Sequence, residues 1–133
     1  MNPHYAHVAL RAGHRCEYCH APEAVFNFPF EVEHIIPVSR GGLDSETNWA
    51  LACRSCNLRK AMYVNGIDPE SQSVVRLFHP REDRWEEHFW AAPEKGEIEG
   101  LTEIGRATIV RLEMNSGVQV AARRQWMRLG LFP

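Results

Sequence analysis

The chain has 133 residues, 44% of them hydrophobic and 24% charged, proportions of an ordinary globular protein that argue against a disordered or fibrous chain. Fifteen basic side chains against seventeen acidic ones give a net charge of −2, so no global electrostatic pull toward nucleic acid is evident. Neither half is a basic module: residues 1–63 hold six Lys/Arg and six Asp/Glu, and residues 64–133 hold nine and eleven.

No apolar run approaches the roughly 18–20 residues that cross a bilayer, and the N-terminus lacks the apolar segment of a secretory signal. The expectation is a cytoplasmic protein without membrane contact. Structural disulfides are rare there, so four cysteines raise a question of metal or redox chemistry.

In chain order, Asn2 followed by Pro3 reads as a helix start, and Tyr5, Val8, Ala9 and Ala12 recur at helical spacing until Gly13. From Val25 to Ile36 the pattern alternates, with Phe26, Phe28, Phe30 and Val32 on one side and Asn27, Glu31 and Glu33 on the other, which predicts a strand. Pro29 suggests an edge position or a bulge in it. Pro37 ends that strand, and Ser39 to Gly42 is a turn or loop. Residues 48–52 predict a returning strand, and Ser55 is a candidate cap for a helix beginning near Cys56.

Residues 64–73 have the composition of a connector. VVRLFHP is strand-like, RWEEHFW is ambiguous between strand and helix, and residues 97–101 look extended. Thr102 is a candidate cap for an amphipathic helix through Leu112, and a second helix is expected from about Val118 to Leu129. The whole predicts an α+β chain of no more than two structural units, residues 1–63 and an α/β C-terminal extension, residues 64–133, packed on the first.

Cys16 and Cys19, then Cys53 and Cys56, form two C-x2-C knuckles separated by 33 residues. Each knuckle lets two thiolates reach one tetrahedral ion, and two complete a closed structural zinc site. Free buried cysteines or a redox pair are the rival readings, which the paired arrangement disfavours. His20 is a lesser candidate ligand, because four thiols already fill the tetrahedron. A fully coordinated zinc offers no open position for Lewis-acid chemistry. Catalysis, if any, therefore passes to residues that the metal-closed loop encloses.

Those residues include Glu33 and His34 in VEHIIP, then Asn48, with Arg54, Asn57, Arg59 and Lys60 around the second knuckle. CEYC, EHIIPVSRGG, NWALACRSCN and LRK together resemble an HNH endonuclease with the ββα-metal (His-Me finger) fold, over roughly residues 11–62. The resemblance implies a general base at His34, a divalent Mg2+ or Mn2+ ion held by Glu33 and Asn57, and a loop-fixing role for Asn48. It also implies a DNA substrate, cut to 5′-phosphate and 3′-hydroxyl ends. Many relatives carry Asp where this chain has Glu33.

The chemistry supports those assignments. Imidazole accepts a proton near neutral pH, carboxylate and amide oxygens suit a hard divalent ion, and Arg54, Arg59 and Lys60 would meet phosphate oxygens. Neighbours in a regular strand point to opposite faces, so Glu33 and His34 share a site only if the strand bends before Pro37. The main alternative is a non-catalytic zinc module that binds nucleic acid or protein. A thiol redox protein is a third reading, and the oligomeric state, monomer or homodimer, is open.

In the C-terminal half, His79 and His88 are candidates by residue type only, and Trp85, Phe89 and Trp90 read as packing residues. Residues 123–128, RRQWMR, form the densest basic patch there. An amphipathic helix with its arginines in water and Trp126 on the core is favoured over a DNA-backbone contact.

Overall fold

A computed structural model describes residues 2–133. Helix α1 (Tyr5–Arg11) leads into the first cysteine knuckle, and strands β1 (Glu31–His34) and β2 (Trp49–Ala52) form an antiparallel hairpin followed by helix α2 (Arg54–Lys60). In register, Glu31 faces Ala52, Val32 faces Leu51, Glu33 faces Ala50 and His34 faces Trp49. The connecting loop carries two single 3-10 turns, Val38–Arg40 and Glu46–Asn48.

Beyond α2 come the hairpin β3 (Asn65–Ile67) and β4 (Val74–Arg76), helix α3 (Trp85–His88), the hairpin β5 (Phe89–Ala91) and β6 (Ile98–Gly100), and helices α4 (Glu103–Arg111) and α5 (Gly117–Arg128). Thr102 caps α4, its hydroxyl accepting from the Gly105 N–H at 3.0 Å. Among the described residues no helix is long and apolar enough to cross a membrane.

Several elements differ from the sequence expectation for identifiable reasons. α1 begins after His4, because the Asn2 side chain accepts from the His4 N–H (2.7 Å) and holds a turn ahead of the helix. The strand foreseen over 25–36 shortens to four residues. Residues 23–25 wind into a 3-10 turn, and Phe30 gives its N–H to the Glu23 carboxylate (2.6 Å) instead of to a neighbouring strand. Cys53, not Ser55, caps α2, its sulfur accepting from the Cys56 N–H. The supposed connector contains β3, where a Cβ on Gly66 would come within 3.2 Å of the Ala107 carbonyl of α4.

The first knuckle is a tight turn closed by Cys16 N–H to Ala21 O (3.0 Å) and His20 N–H to Cys16 O (2.9 Å). Glu17 fastens it to β2: its N–H donates to Leu51 O, and its carboxylate accepts from the Leu51 N–H, both at 2.8 Å. The second knuckle starts α2. All four cysteines are buried, and their sulfurs lie within 4.8 Å of one another. A tetrahedral zinc at 2.3 Å from each sulfur would set sulfurs about 3.8 Å apart, and Cys19 and Cys53 stand at 3.7 Å. Hydrogen bonds among the sulfurs, first of all with Cys16, hold the Cys53 thiol far below its ordinary range and push Cys19 and Cys56 well above theirs. Four such thiols ionise together only around a cation, and the donor set fits zinc.

One hydrophobic cluster runs through both halves of the chain, from Val8 and Tyr18 through Leu51 to Phe78, Phe89 and Met114. Trp85 donates to the Tyr18 carbonyl (2.8 Å) and stacks on His20 at 4.0 Å. Burial lowers the His20 pKa to about 4. In α5, Trp126 packs against the core, while Arg123 runs against expectation. It is fully buried, giving Nη1 to Gly96 O (2.6 Å) and Nη2 to Met114 O (2.9 Å).

Because the knuckles close the loop that carries the hairpin, metal binding and folding should be one equilibrium. Purified protein is expected to contain stoichiometric zinc by elemental analysis. Cys53→Ser, or strong chelation, is expected to abolish the cooperative thermal transition followed by circular dichroism.

Candidate active site

β1 presents alternate residues to opposite faces. Glu31 and Glu33 face α2, and His34, at the strand end, meets the loop that leads to β2. The structure therefore gathers the expected residues into two groups and buries a third.

The buried group is Glu33 with Tyr18 and Lys60. Glu33 accepts from the Tyr18 hydroxyl through Oε1 and from Lys60 Nζ through Oε2 at 3.2 Å, and Lys60 also donates to Ile35 O at 2.7 Å. Glu33 is 7% exposed and Lys60 1%. Burial pushes the Glu33 carboxyl up against the opposing pull of Lys60, and burial beside Glu33 pushes the Tyr18 phenol well up. Both Glu33 oxygens are engaged and an ammonium adjoins one of them, so this carboxylate does not fit a second, divalent cation. Lys60, expected at phosphate, is an internal counter-ion instead.

The second group is Glu31 with Asn57. Asn57, in the middle of α2, donates through Nδ2 to Glu31 Oε2, and the Glu31 side is exposed. One carboxylate and one carboxamide here supply hard oxygens of the kind a divalent ion takes, after the amide turns its oxygen inward. Glu31 was absent from the expected ligand set. Its signal was its place on the Glu33 side of the strand alternation, with the opposite burial.

The third group surrounds His34. Asn48, 4% exposed, ties the loop to the strand end: Oδ1 accepts from the Ile36 N–H (2.9 Å), and Nδ2 donates to Ile36 O (2.8 Å) and Leu43 O (2.7 Å). Gly42 is required by close approach, since a Cβ there would lie 1.8 Å from Ile36 O and 2.9 Å from Asn48 Nδ2. The His34 side chain is 38% exposed, and its Nε2 stands 2.9 Å from Asp44 Oδ1. That same oxygen accepts from the Trp49 indole at 3.1 Å. Hydrogen bonding from His34 and then Trp49 holds the Asp44 carboxyl below the usual carboxylate range. Reading the sequence missed Asp44, which no knuckle or periodicity singles out.

Of the expected phosphate ligands, Arg54 and Arg59 line an open groove with Phe26, Phe28, Ser55 and Leu58 on the outer side of α2. Arg59 also pairs with Glu113 at 2.8 Å, both side chains about half exposed. His79 turns inward to accept from the N–H groups of Arg81 and Glu82, and His88 bonds Thr102 (2.6 Å).

Removing one member of a buried ion pair costs about 3–5 kcal/mol, whereas replacing both with neutral groups can be nearly neutral. Lys60→Met is thus expected to lower unfolding stability by about that amount in urea titrations, and the double variant with Glu33→Gln to regain most of it.

The hairpin, the loop between its strands, the helix behind it and the paired knuckles occupy one continuous stretch. Residues 16–61 match the family model described as HNH endonuclease. No curated protein and no solved structure matches the chain. With its four cysteines gathered at one point as the zinc knuckles require, this stretch is an HNH domain of the HNH endonuclease family.

Proposed function

We propose that the protein is a metal-dependent endonuclease that hydrolyses DNA phosphodiester bonds in the cytoplasm, with residues 1–63 as the nuclease unit and residues 64–133 as a buttress packed on it. The observation that carries this reading is His34: a half-exposed imidazole at a strand end, held at one ring nitrogen by Asp44. Phosphodiester hydrolysis needs a proton acceptor for the attacking water and neutralisation of charge building on phosphate. An imidazole so placed is the right acceptor at neutral pH.

Asn48 keeps the base in place by locking the loop to the strand end on which His34 stands. Arg54, exposed on α2, and Arg59, once released from Glu113, give phosphate oxygens charged donors along the groove. A Mg2+ or Mn2+ ion, when bound, supplies Lewis-acid stabilisation of the charged phosphate. Glu31 and Asn57 would hold that ion, on the face of β1 that meets α2 and three residues before His34, so base and ion meet one phosphate only if the substrate reaches around the strand end; the Glu33 oxygens are bound to Tyr18 and Lys60. The ends expected by family analogy are 5′-phosphate and 3′-hydroxyl.

The test is nicking of supercoiled plasmid over a panel of divalent ions. Parent protein is expected to cut with Mg2+ or Mn2+, and His34→Ala to lose about 10²–10⁴-fold in rate, the usual contribution of a general base. Glu31→Gln should raise the metal concentration needed for half-maximal rate, while Glu33→Gln combined with Lys60→Met, which leaves no unpaired buried charge, should leave it within about twofold, a difference of under 0.5 kcal/mol by the affinity relation. DNA binding without cleavage under every ion would instead support the non-catalytic module.

A further inference from the structure

We infer that Asp44 is the positioning residue for His34, fixing the ring so that Nδ1 is the atom that takes the proton from water. This rests on the reading of His34 as the general base and adds the atom and its partner. An ionised carboxylate only accepts hydrogen bonds. With Asp44 Oδ1 at 2.9 Å, Nε2 must carry the ring hydrogen, leaving the lone pair on Nδ1. Among the described residues, no hydrogen bond engages Nδ1.

The position of the carboxylate is itself set. Trp49, buried and opposite His34 in the hairpin register, donates its indole N–H to the same Oδ1 at 3.1 Å. Trp49 is held in turn by α1 and by His4 at its N-cap. The His4 ring stacks on it at 4.0 Å and 23°, and Arg11 donates through Nη2 to the Trp49 carbonyl (2.6 Å) and through Nη1 to Glu46 O (3.0 Å). A histidine ring turns over a broad torsional well when nothing holds it. Here a rigid indole holds the carboxylate, and the carboxylate holds the ring. Its Nδ1 edge is thereby aimed, and less reorganisation remains at the moment of proton transfer.

The experiment compares parent, Asp44→Ala and Asp44→Asn by steady-state cleavage and by 15N spectra of the His34 ring at a pH where histidine is neutral. Asp44→Ala should lower kcat about 10- to 100-fold, the usual effect of losing a group that orients a functional histidine, and KM should stay within about twofold, since no substrate contact is lost. Zinc content and thermal midpoint should match the parent, because the Asp44 side chain is largely exposed. Asp44→Asn keeps an oxygen acceptor for both donors and should recover at least half of that loss on a logarithmic scale. In the parent the ring should show a protonated Nε2 and a bare Nδ1, and in Asp44→Ala the two signals should move toward each other as both tautomers populate.

Parental kcat in Asp44→Ala, or a parent ring protonated on Nδ1, would overturn the inference. If the parent cleaves no substrate with any ion, the nuclease reading fails, and the ring spectra alone then decide whether Asp44 fixes the tautomer.

Discussion

Everything at the candidate site depends on four sulfurs brought within 4.8 Å of one another. The first knuckle is joined to β2 through Glu17 and the second forms the N-terminus of α2. The sulfur cluster therefore fixes the helix against the hairpin, which a four-residue strand pair could not do by its own hydrogen bonds. Cys53 has two roles in this arrangement, as one of four sulfurs placed to hold a metal ion and as the cap of α2. The rotation of the helix, and so the directions of Asn57 and Lys60, are set from the metal end.

That rotation explains why the acid next to His34 is occupied. Asn57 and Lys60 stand three apart on one helical face and reach β1 at Glu31 and Glu33, which share one strand face. The inner pair is sealed by Tyr18, itself part of the first knuckle, and the outer pair stays in water. A buried Glu33 without Lys60 would be an uncompensated charge, and a buried Lys60 without Glu33 would be the same. The two residues thus act as a polar pin between hairpin and helix, and the exposed Glu31 with the partly buried Asn57 lies outside it.

The knuckles, the hairpin, the helix behind it and the Gly-Gly loop were legible because each is local: a spacing, an alternation or a turn composition. Thr102 as the α4 cap was legible for the same reason. What could not be read was set by tertiary contacts. The Phe26 to Phe30 alternation looks like a strand, yet the Phe30 N–H is taken by Glu23, so no partner strand forms there. Glu33 and Lys60 carry the residue types of a metal site and a phosphate site, and only their mutual approach shows that they satisfy each other. Asp44 lies in a polar loop where sequence offers no period, and its partners His34 and Trp49 become neighbours only through strand register. Arg123 reads as a water-facing base until Gly96 and Met114 are seen to offer it carbonyls.

Arg123 also shows why the C-terminal half belongs in any account of the metal. Burial lowers its pKa, and the thiolates of Cys19, Cys56, Cys53 and Cys16 oppose that shift, so this guanidinium senses the sulfur cluster. A divalent ion leaves four thiolates still negative, and a buried cation nearby offsets the remainder where water is excluded. Trp85 covers the first knuckle by its bond to Tyr18 O and its stack on His20. The extension therefore covers the four-cysteine cluster, while α1 and His4 at its N-cap support Trp49 and through it Asp44. Both supports lie outside the matched stretch of residues 16–61. A short HNH domain with a two-stranded hairpin thus obtains from its flanking chain support both at the cysteine knuckles and at the strand end that carries His34.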